Sequence, residues 1–578
     1  MPSRIAVREE KPRFSFHSKN RKLGYTLTGG LAFVLLIWMV VVPLVMVLSR
    51  SFVDNQTGAL TLNNWVTTFQ GENLKAIGNS LLLSLCVTLL SSVLALPLSY
   101  FLSKTRLRKA WWLGVIMMIP FMIPPYINSL AWMLFMQRNG VLWRLVPGLR
   151  PLCEHFYSFF GMVWIMSMHT FPFLTTMLNT AFDSFPNNLE DALKVYSHSK
   201  WKSFLHVYVP ILLPNYLIGA FLVFVKSMSE YGTPATFGLQ INYTVFTTLI
   251  TNYMQVSPIN FSLASSLASL MIVVCMLIWM LETYIVRKKS YALMPGQKVK
   301  ISTSKASLIG GIVFCSLLHI FSAFIPLSTL LITSFKKISY RPIWQEGNLT
   351  GANYVKAFVE DQGFGTGFQA LGNTFLISFI SSLIVLVFGF AFGIYCRRYR
   401  SKSLGKGVEF LATLPQMLPN IVTGIGLIFL YNAIYKAIPV YRTPAMMVIG
   451  YSIILLPGMF SYIKNSLTQL PASLLEAGEI FGKNKLRTDI FVVLPAAFKG
   501  SMYGFLMTMI VAFRELITAK LLQAPSFYTL SLYIDFQFEQ GDRMAAMALS
   551  VVSVGITLLI LLPLQFVMKG RKNSDLGE

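Results

Sequence analysis

Residues 470–495 read LPASLLEAGEIFGKNKLRTDIFVVLP, and residues 185–210 read FPNNLEDALKVYSHSKWKSFLHVYVP. The two stretches align without a gap: each begins with an apolar residue and a proline, places an acidic residue five positions after that proline, and closes on an apolar residue and a second proline. Proline suits the first turn of a helix, and an acidic side chain is stabilised near the positive end of a helix. The pattern predicts a helix, a turn and a second short helix in each stretch.

The predicted turn falls on Gly482 in the later stretch and on Ser197 in the earlier one. Glycine adopts positive φ at no steric cost, so Gly482 allows a sharp reversal between the two helices, and Ser197 does this less readily. The residues that share this motif are Asp191, Ala192 and Ser197 in the first copy and Glu476, Ala477, Gly478 and Gly482 in the second. A short helical knob with a shallow contact face is typical of a docking element.

The sequence around these stretches is strongly apolar. Its hydrophobic content is 54%, and only 12% of its residues are charged, which is far from the composition of a soluble domain. Apolar runs of about 20 residues, enough to cross roughly 30 Å of hydrocarbon as a helix, recur throughout. We place twelve spans near residues 26–48, 77–103, 111–136, 157–180, 207–230, 260–286, 306–333, 370–396, 408–434, 443–463, 491–513 and 544–568. The sequence therefore predicts an all-α membrane protein.

The distribution of Lys and Arg predicts the orientation of these spans. Basic residues crowd the loops at 104–109, 287–305 and 397–406, whereas residues 231–259 contain none. Since positive loops stay in the cytoplasm, the basic segment 1–25 and the tail 571–578 are both predicted to be cytoplasmic. No small-residue cleavage pattern follows the first span, which we therefore interpret as an anchor and not a removable signal.

A long internal repeat organises the chain. Pro120 and Pro124 match Pro415 and Pro419 with an offset of 295 residues, and the run Ile77–Ser80 (IGNS) is echoed by Leu371–Thr374 (LGNT) with an offset of 294. Six spans in each copy make the two copies parallel, related by an axis along the membrane normal. We predict permease repeats at 26–290 and 306–570, joined by a basic linker at 291–305, with a translocation route between them.

The stretch at 470–495 resembles the EAA loop of binding-protein-dependent ABC importer permeases. It matches that motif through Glu476, Ala477, Gly478, Gly482 and a Leu-Pro close, and the first copy departs from it at residues 191, 193, 197 and 209. Two such repeats fused end to end resemble the iron(III)-type branch of the family. The resemblance implies a type I ABC importer permease fold of about twelve transmembrane helices in two parallel six-helix repeats. An amphipathic loop resting on lipid headgroups is the alternative interpretation of each stretch.

The resemblance also implies the partners. Each EAA-type stretch would couple to one copy of a separate ABC ATPase, which would bind ATP and Mg, and an extracytoplasmic solute-binding protein would deliver the cargo. The chain would be a multi-pass permease of the bacterial inner membrane, without catalytic residues or a cofactor of its own. The sequence agrees, because it contains no GxxxxGK[ST] motif; the run from Gly478 to Lys483 has one residue too few between its glycines.

Other function classes fit the sequence less well. The net charge of +25 is scattered over loops and forms no nucleic-acid-binding module. The six histidines show no HExxH pattern, and the five cysteines stand singly, as expected for packing residues. A secondary transporter driven by an ion gradient also has two parallel halves, but it would carry ionisable residues deep in the bilayer. Here the charged residues of the spans fall near their ends.

The candidate translocation path consists of charged and phenolic residues at the outer ends of matching spans: Lys226, Glu230, Tyr231, Arg514 and Glu515. Iron(III) prefers carboxylate and phenolate oxygen, so Glu230, Tyr231 and Glu515 suit a ferric ion in transit, with no fixed metal site. Lys226 and Arg514 instead suit an anionic solute such as an organic phosphate or phosphonate. Iron(III) is the first hypothesis for the cargo; organic phosphates, polyamines and thiamine remain alternatives.

Overall fold

The computed structural model describes residues 29–183, 185, 204–289, 304–338, 341–361, 363–399, 403–471, 473 and 485–574. Within these ranges the backbone is helical and forms no strand beyond two isolated bridges, one between Val53 and Leu60 and one between Lys336 and Leu349. The all-α architecture predicted from the apolar periodicity is confirmed.

Sixteen helices build the bundle and the site. In the first half they are α1 (Gly29–Arg50), α2 (Gly71–Lys104), α3 (Trp112–Met122), α4 (Pro125–Leu145), α5 (Phe159–Asp183), α6 (His206–Ser229), α7 (Phe246–Gln255) and α8 (Phe261–Lys288). In the second half they are α9 (Lys305–Ser334), α10 (Gly367–Arg398), α11 (Ser403–Met417), α12 (Asn420–Ala433), α13 (Pro444–Thr468), α14 (Asp489–Phe513), α15 (Leu530–Glu539) and α16 (Arg543–Leu561). Shorter helices include Asn63–Thr68, Pro234–Gly238, Ala352–Phe358 and Ile517–Leu522.

All twelve predicted spans coincide with a helix or a bent pair of helices. Among the described residues, nine helices are long and apolar enough to cross a membrane, and the count rises to eleven if each of two bent pairs is one span. The remaining predicted span falls on α5, which is 25 residues long but carries His169 and several Ser and Thr residues that lower its apolar character. Its matching helix in the second half, α13, is among the nine.

The predicted spans at 111–136 and 408–434 are broken and not continuous. The chain bends by 86° between α3 and α4 and by 109° between α11 and α12. Pro124 and Pro419 lie at these two breaks, and the preceding residues Ile123 and Leu418 are extended. The cause is steric, because proline disfavours the helical conformation of the residue before it and lacks an N–H of its own. The paired prolines mark the repeat and also form the discontinuity.

The first helix of each half packs on the other half. The backbone of α12 approaches α1 so closely that a Cβ on Gly426 would lie 2.5 Å from the carbonyl oxygen of Pro43. In the same way α9 packs against α4. One continuous apolar cluster therefore contains residues of both halves, and the two repeats are joined by packing as well as by the chain between them.

Helices α7 and α15 were not predicted, because the sequence between the spans was interpreted as loop. Each begins at a residue whose backbone N–H donates to a hydroxyl on a long span: Phe246 N to Ser80 Oγ at 2.7 Å, and Leu530 N to Thr374 Oγ1 at 2.6 Å. The neighbouring Asn79 and Asn373 donate from Nδ2 to the carbonyls of residues 244 and 528 at 2.9 and 3.0 Å. The repeated IGNS and LGNT runs thus fix the start of α7 and of α15.

Candidate functional site

The two glutamates predicted to line the path occupy equivalent turns. The Oε1 atom of Glu230 accepts hydrogen bonds from the backbone N–H of Thr233 at 3.2 Å and from its hydroxyl. The Oε1 atom of Glu515 accepts the same pair of bonds from Thr518, at 3.1 and 2.9 Å. Each carboxylate thereby satisfies an otherwise unpaired N–H at the start of a short helix. The repeated element is a Glu-x-x-Thr turn that follows the C-terminal end of α6 and of α14.

Each turn is tied to the helix that follows it. Thr247 Oγ1, on α7, donates to the carbonyl of Glu230 at 2.8 Å, and Ser531 Oγ, on α15, donates to the carbonyl of Glu515 at 2.7 Å. Tyr451, which is 1% exposed, donates to the same carbonyl of Glu515 at 3.2 Å. Hydrogen bonds therefore fix the backbone at both glutamates, whereas their side chains are only half-buried.

The breaks in the bent spans face these turns. Asn420, the first residue of α12, places its Nδ2 3.4 Å from Glu515 Oε2. In the first half Tyr126 packs on Gly232, where a Cβ would approach the Tyr126 Cβ to 2.6 Å. Discontinuous helices whose ends face a central site are a common way to build a solute path within a membrane. Here the breaks and the two Glu-x-x-Thr turns form one locus between the halves.

Two cations from different halves meet an aromatic pair at this locus. The guanidinium carbon of Arg514 lies 3.8 Å from the centre of the Phe121 ring, and Lys226 Nζ lies 4.7 Å from the centre of the Phe173 ring. The two rings contact each other edge to face with centres 4.4 Å apart. Such stacking stabilises a cation in surroundings that exclude water.

The charges at this locus act on one another across the halves. Arg514 is in Coulombic range of Glu230 and Glu515, and Lys226 is in range of Arg514 and Glu515. Within the part of the chain that the structure describes, neither cation forms a salt bridge with a carboxylate. Arg514 Nη1 is buried without a hydrogen-bond partner. The site therefore presents carboxylate oxygen and positive charge side by side, without a direct ion pair between them among the described residues.

Tyr231 contacts the second half directly. Its ring lies 5.2 Å below Lys520 Nζ, and that ammonium group forms salt bridges with Asp535 at 2.8 Å and with Glu539 at 3.1 Å. Lys520 and Asp535 are 16% and 12% exposed. From the first half, Tyr231 therefore contacts a cation that is ion-paired within the second half, next to the Glu230 turn.

The described residues contain no group of three or more His, Cys, Asp or Glu side chains placed to hold a metal ion. Glu230 and Glu515 each have one carboxylate oxygen bonded to a threonine and a second one free of that turn. The arrangement can stabilise a charged solute in passing, but it does not form a closed coordination shell.

The predicted coupling residues Asp191, Ala192, Ser197, Glu476, Ala477, Gly478 and Gly482 lie outside the described residues. The structure describes both ends of each stretch. In the first stretch these ends are Phe185, which follows α5, and residues 204–210, which lead into α6. In the second they are residues 470, 471 and 473, which follow α13, and residues 485–495, which lead into α14.

The duplicated architecture agrees with a family match that occurs twice. The model for the "binding-protein-dependent transport system inner membrane component" matches residues 88–291 and again residues 389–569. The chain belongs to this family. It is a multi-pass inner-membrane permease with two copies of the permease domain, and its family works with a separate solute-binding protein.

Individual relatives of this permease cover most of its length. It is 24% identical to the ferric transport system permease protein of Actinobacillus pleuropneumoniae over 91% of the chain and 76% of that protein. It is 23% identical to an Fe(3+)-transport system permease protein of Haemophilus influenzae over 85% of the chain and 90% of that protein. A molybdenum transport system permease protein of Azotobacter vinelandii is 24% identical over 36% of the chain and 91% of its own length. The alignments with the two ferric permeases therefore extend over both halves of this chain.

Several residues of the permease's candidate path were missed by sequence reasoning. Thr233 and Thr518 stand three residues after the matching glutamates, and this repeated spacing was a signal that could have identified both turns. Phe121 and Phe173 had no such signal, because aromatic residues in an apolar span are most often packing residues. Their role depends on the contact between the two halves, which the sequence does not encode locally.

Proposed function

We propose that this permease is the membrane-spanning subunit of an ATP-driven importer that moves iron(III) from an external binding protein to the cytoplasm. The two EAA-type stretches couple it to two copies of a separate ATPase that carries ATP and Mg. Asp191 and Glu476 are the acidic contacts, and Ser197 and Gly482 shape their turns. Both chain termini lie in the cytoplasm, and the repeats extend over 26–290 and 306–570.

The pair of equivalent carboxylates carries the ferric proposal. Glu230 and Glu515 come from matching positions of the two halves and lie next to the breaks of the bent spans. Hydrogen bonds from α7 and α15 to their carbonyl groups fix the backbone at both residues. Iron(III) is a hard cation that favours oxygen ligands, and an open pair of carboxylates can receive it without trapping it. The relatives that cover both halves are ferric permeases, which supports the same cargo.

An oxyanion is the second candidate cargo, and one observation favours it. Lys226 and Arg514 are brought together by stacking on Phe173 and Phe121, with no carboxylate in salt-bridge contact among the described residues. Two like charges inside a membrane protein repel each other, and an anion between them would relieve that cost. The relative named for molybdenum transport covers only 36% of the chain, so this candidate ranks second.

The test is a comparison of cargoes in one reconstituted system. The permease with its cognate ATPase is placed in proteoliposomes, the cognate binding protein is added outside, and ATP is enclosed. Uptake is measured for ferric iron, molybdate, glycerol phosphate, putrescine and thiamine, each labelled and each supplied alone.

We expect saturable ferric uptake that depends on both ATP and the binding protein, with the other solutes at the level of empty vesicles. Selective uptake of molybdate or glycerol phosphate, with no uptake of iron, would show that the cargo is an oxyanion and not ferric iron. Selective uptake of putrescine or thiamine would contradict both.

A further inference from the structure

The cytoplasmic end of α10 contacts the first two residues of the second EAA-type stretch (470–495). Arg397, in the last turn of α10, donates from Nη2 to the carbonyl of Leu470 at 2.9 Å and to that of Pro471 at 3.4 Å. These carbonyls belong to the first two residues of the stretch, and Ser473 is the next described residue. A charged donor on a backbone carbonyl fixes the position of the chain more firmly than a neutral hydrogen bond does.

The next residue of α10 contacts the later, described part of the same stretch. Arg398 Nη2 lies 2.6 Å from Asp489 Oδ1 at the start of α14, and both side chains are 11% exposed. An ion pair with so little exposure is weakly screened, and the removal of one partner from such a pair is costly. Arg397 and Arg398 together therefore join both ends of the second EAA-type stretch to one helix.

The first half closes its own stretch differently. Phe185, the first residue of the stretch 185–210, stacks on Tyr208, near its end, with ring centres 4.7 Å apart and an angle of 13° between the planes. Lys104, the last residue of α2, lies over the Phe185 ring at 5.2 Å. Nearby, Arg108 pairs with Asp183 at 2.6 Å, with side chains 29% and 43% exposed. Here an aromatic stack connects the two ends, and the ion pair is more open to water.

The opposite end of α10 lies at the candidate path. Asn373 and Thr374 hold the start of α15 through hydrogen bonds of 3.0 and 2.6 Å. Ser531, on α15, in turn donates to the carbonyl of Glu515 at 2.7 Å. One continuous helix of 32 residues thus connects the Glu515 turn to both ends of the cytoplasmic stretch.

We propose that Arg397 and Arg398 are positioning residues that fix the base of the second EAA-type stretch to α10, so that displacement of that stretch by the ATPase moves α15 and the Glu515 turn. The proposal rests on the ATPase coupling proposed above. It assigns to the Arg398–Asp489 pair a role in coupling beyond holding the fold together. It also makes the second half more dependent on ionic contacts than the first.

The test uses the full permease in lipid nanodiscs and proteoliposomes with its cognate ATPase and binding protein. The variants are Arg398→Gln, Asp489→Asn, and the exchange of Arg398→Asp with Asp489→Arg. Arg108→Gln breaks the more exposed pair of the first half, and Arg138→Gln breaks the exposed Arg138–Glu154 pair, whose side chains are 78% and 54% exposed. Three quantities are measured: the affinity for the ATPase, the rate of ATP hydrolysis, and the amount of ferric iron taken up per ATP hydrolysed.

We expect Arg398→Gln and Asp489→Asn to lower uptake per ATP by at least about tenfold, since each removes one charge from a pair that is only 11% exposed. ATP hydrolysis in the assembled complex should persist, and the charge exchange should recover much of the coupling. Arg108→Gln should have a smaller effect and Arg138→Gln none. If the two single variants unfold, the variant that exchanges the two charges still tests the proposal. A folded exchange variant whose uptake per ATP does not recover contradicts it.

Full coupling in Arg398→Gln would overturn the inference and leave the proposed function intact. A wild-type permease that fails to bind the ATPase at all would instead overturn the proposed function, and the inference with it. The affinity measurement therefore separates the two failures.

Discussion

The carboxylates of Glu230 and Glu515 are the residues on which the cargo assignment depends. We expect Glu230→Gln combined with Glu515→Gln to abolish ferric uptake, because the amide keeps the size of the side chain but loses the charge that attracts a hard cation. ATPase binding should be unchanged, since the distribution of basic loops predicts both residues at the outer ends of their spans. Uptake assays with a parallel ATPase pull-down measure the two effects. Undiminished ferric uptake in the double variant would exclude these carboxylates from the path.

For the two cations of the candidate path, Lys226 and Arg514, we expect that removal of the charge does not abolish ferric uptake. Lys226→Met together with Arg514→Met removes two positive charges and preserves most of the apolar contact with Phe173 and Phe121. If the cargo is ferric iron, uptake should continue, and the apparent KM for iron should fall as repulsion is removed. If the cargo is an oxyanion, the same variant should lose transport. Kinetics of iron uptake by this variant therefore discriminate between the two candidates independently of the glutamate variants.

Glu476 is the residue on which the coupling assignment depends, and it lies outside the described residues. Glu476→Lys should uncouple ATP hydrolysis from transport in protein that still inserts and folds, because the residue is predicted to face the cytosol. Asp191→Lys should have a weaker effect, since the first copy departs further from the motif. Solute-stimulated ATP hydrolysis at the wild-type rate in Glu476→Lys would refute the docking role.

At the scale of elements, the short helices α7 and α15 depend on hydroxyl groups from the long spans. Thr374→Val keeps the shape of the side chain but removes the acceptor for the Leu530 N–H. A buried donor without a partner costs about 1–3 kcal/mol. We expect a lower midpoint of thermal unfolding and weaker uptake, whereas Thr374→Ser should resemble the wild type.

Ser80→Ala is the corresponding change in the first half, and Thr468→Val, at an exposed hydroxyl of α13, is the control. Equal stability of Thr374→Val and Thr468→Val would show that this bond is unimportant.

The sequence predicted the long elements well and the irregular ones poorly. Apolar runs of membrane-spanning length have one solution in lipid, a helix, because every backbone group must be paired within the segment. The breaks at Pro124 and Pro419 and the helices α7 and α15 depend on which polar groups from other spans are available to their backbone. The prolines and the IGNS and LGNT runs were recognised as marks of duplication, but the hydrogen-bond partners of the two runs lie 155–166 residues away along the chain.

At the scale of the whole molecule, the two halves exchange their first helices, and the candidate path lies between them. The repeat itself was predictable from constant offsets, and the parallel arrangement followed from the number of spans. The exchange of α1 and α9 between the halves could not be predicted, because the apolar face of a helix does not specify which helix it packs against. For the same reason the meeting of Arg514 with Phe121, from opposite halves, could be found only in the structure.

The orientation of the bundle follows from the basic loops and is a prediction about the whole chain. Reporter domains fused after Gly58 and after Gly351 should be external, and fusions within 104–109 and 397–406 should be cytoplasmic. An alkaline phosphatase and fluorescent-protein pair distinguishes the two sides. A cytoplasmic signal after Gly351 would reverse the second half and place Arg397 and Arg398 away from any ATPase.

The central claim is that ATP hydrolysis by a partner drives solute through this chain. Its most direct test is ferric uptake into proteoliposomes that hold the permease and its ATPase, with the binding protein outside and with proton and sodium gradients collapsed by ionophores. The account predicts uptake against a concentration gradient that starts with enclosed ATP, requires the binding protein and stops with a non-hydrolysable ATP analogue. Uptake that proceeds without the ATPase and follows an imposed ion gradient would contradict it.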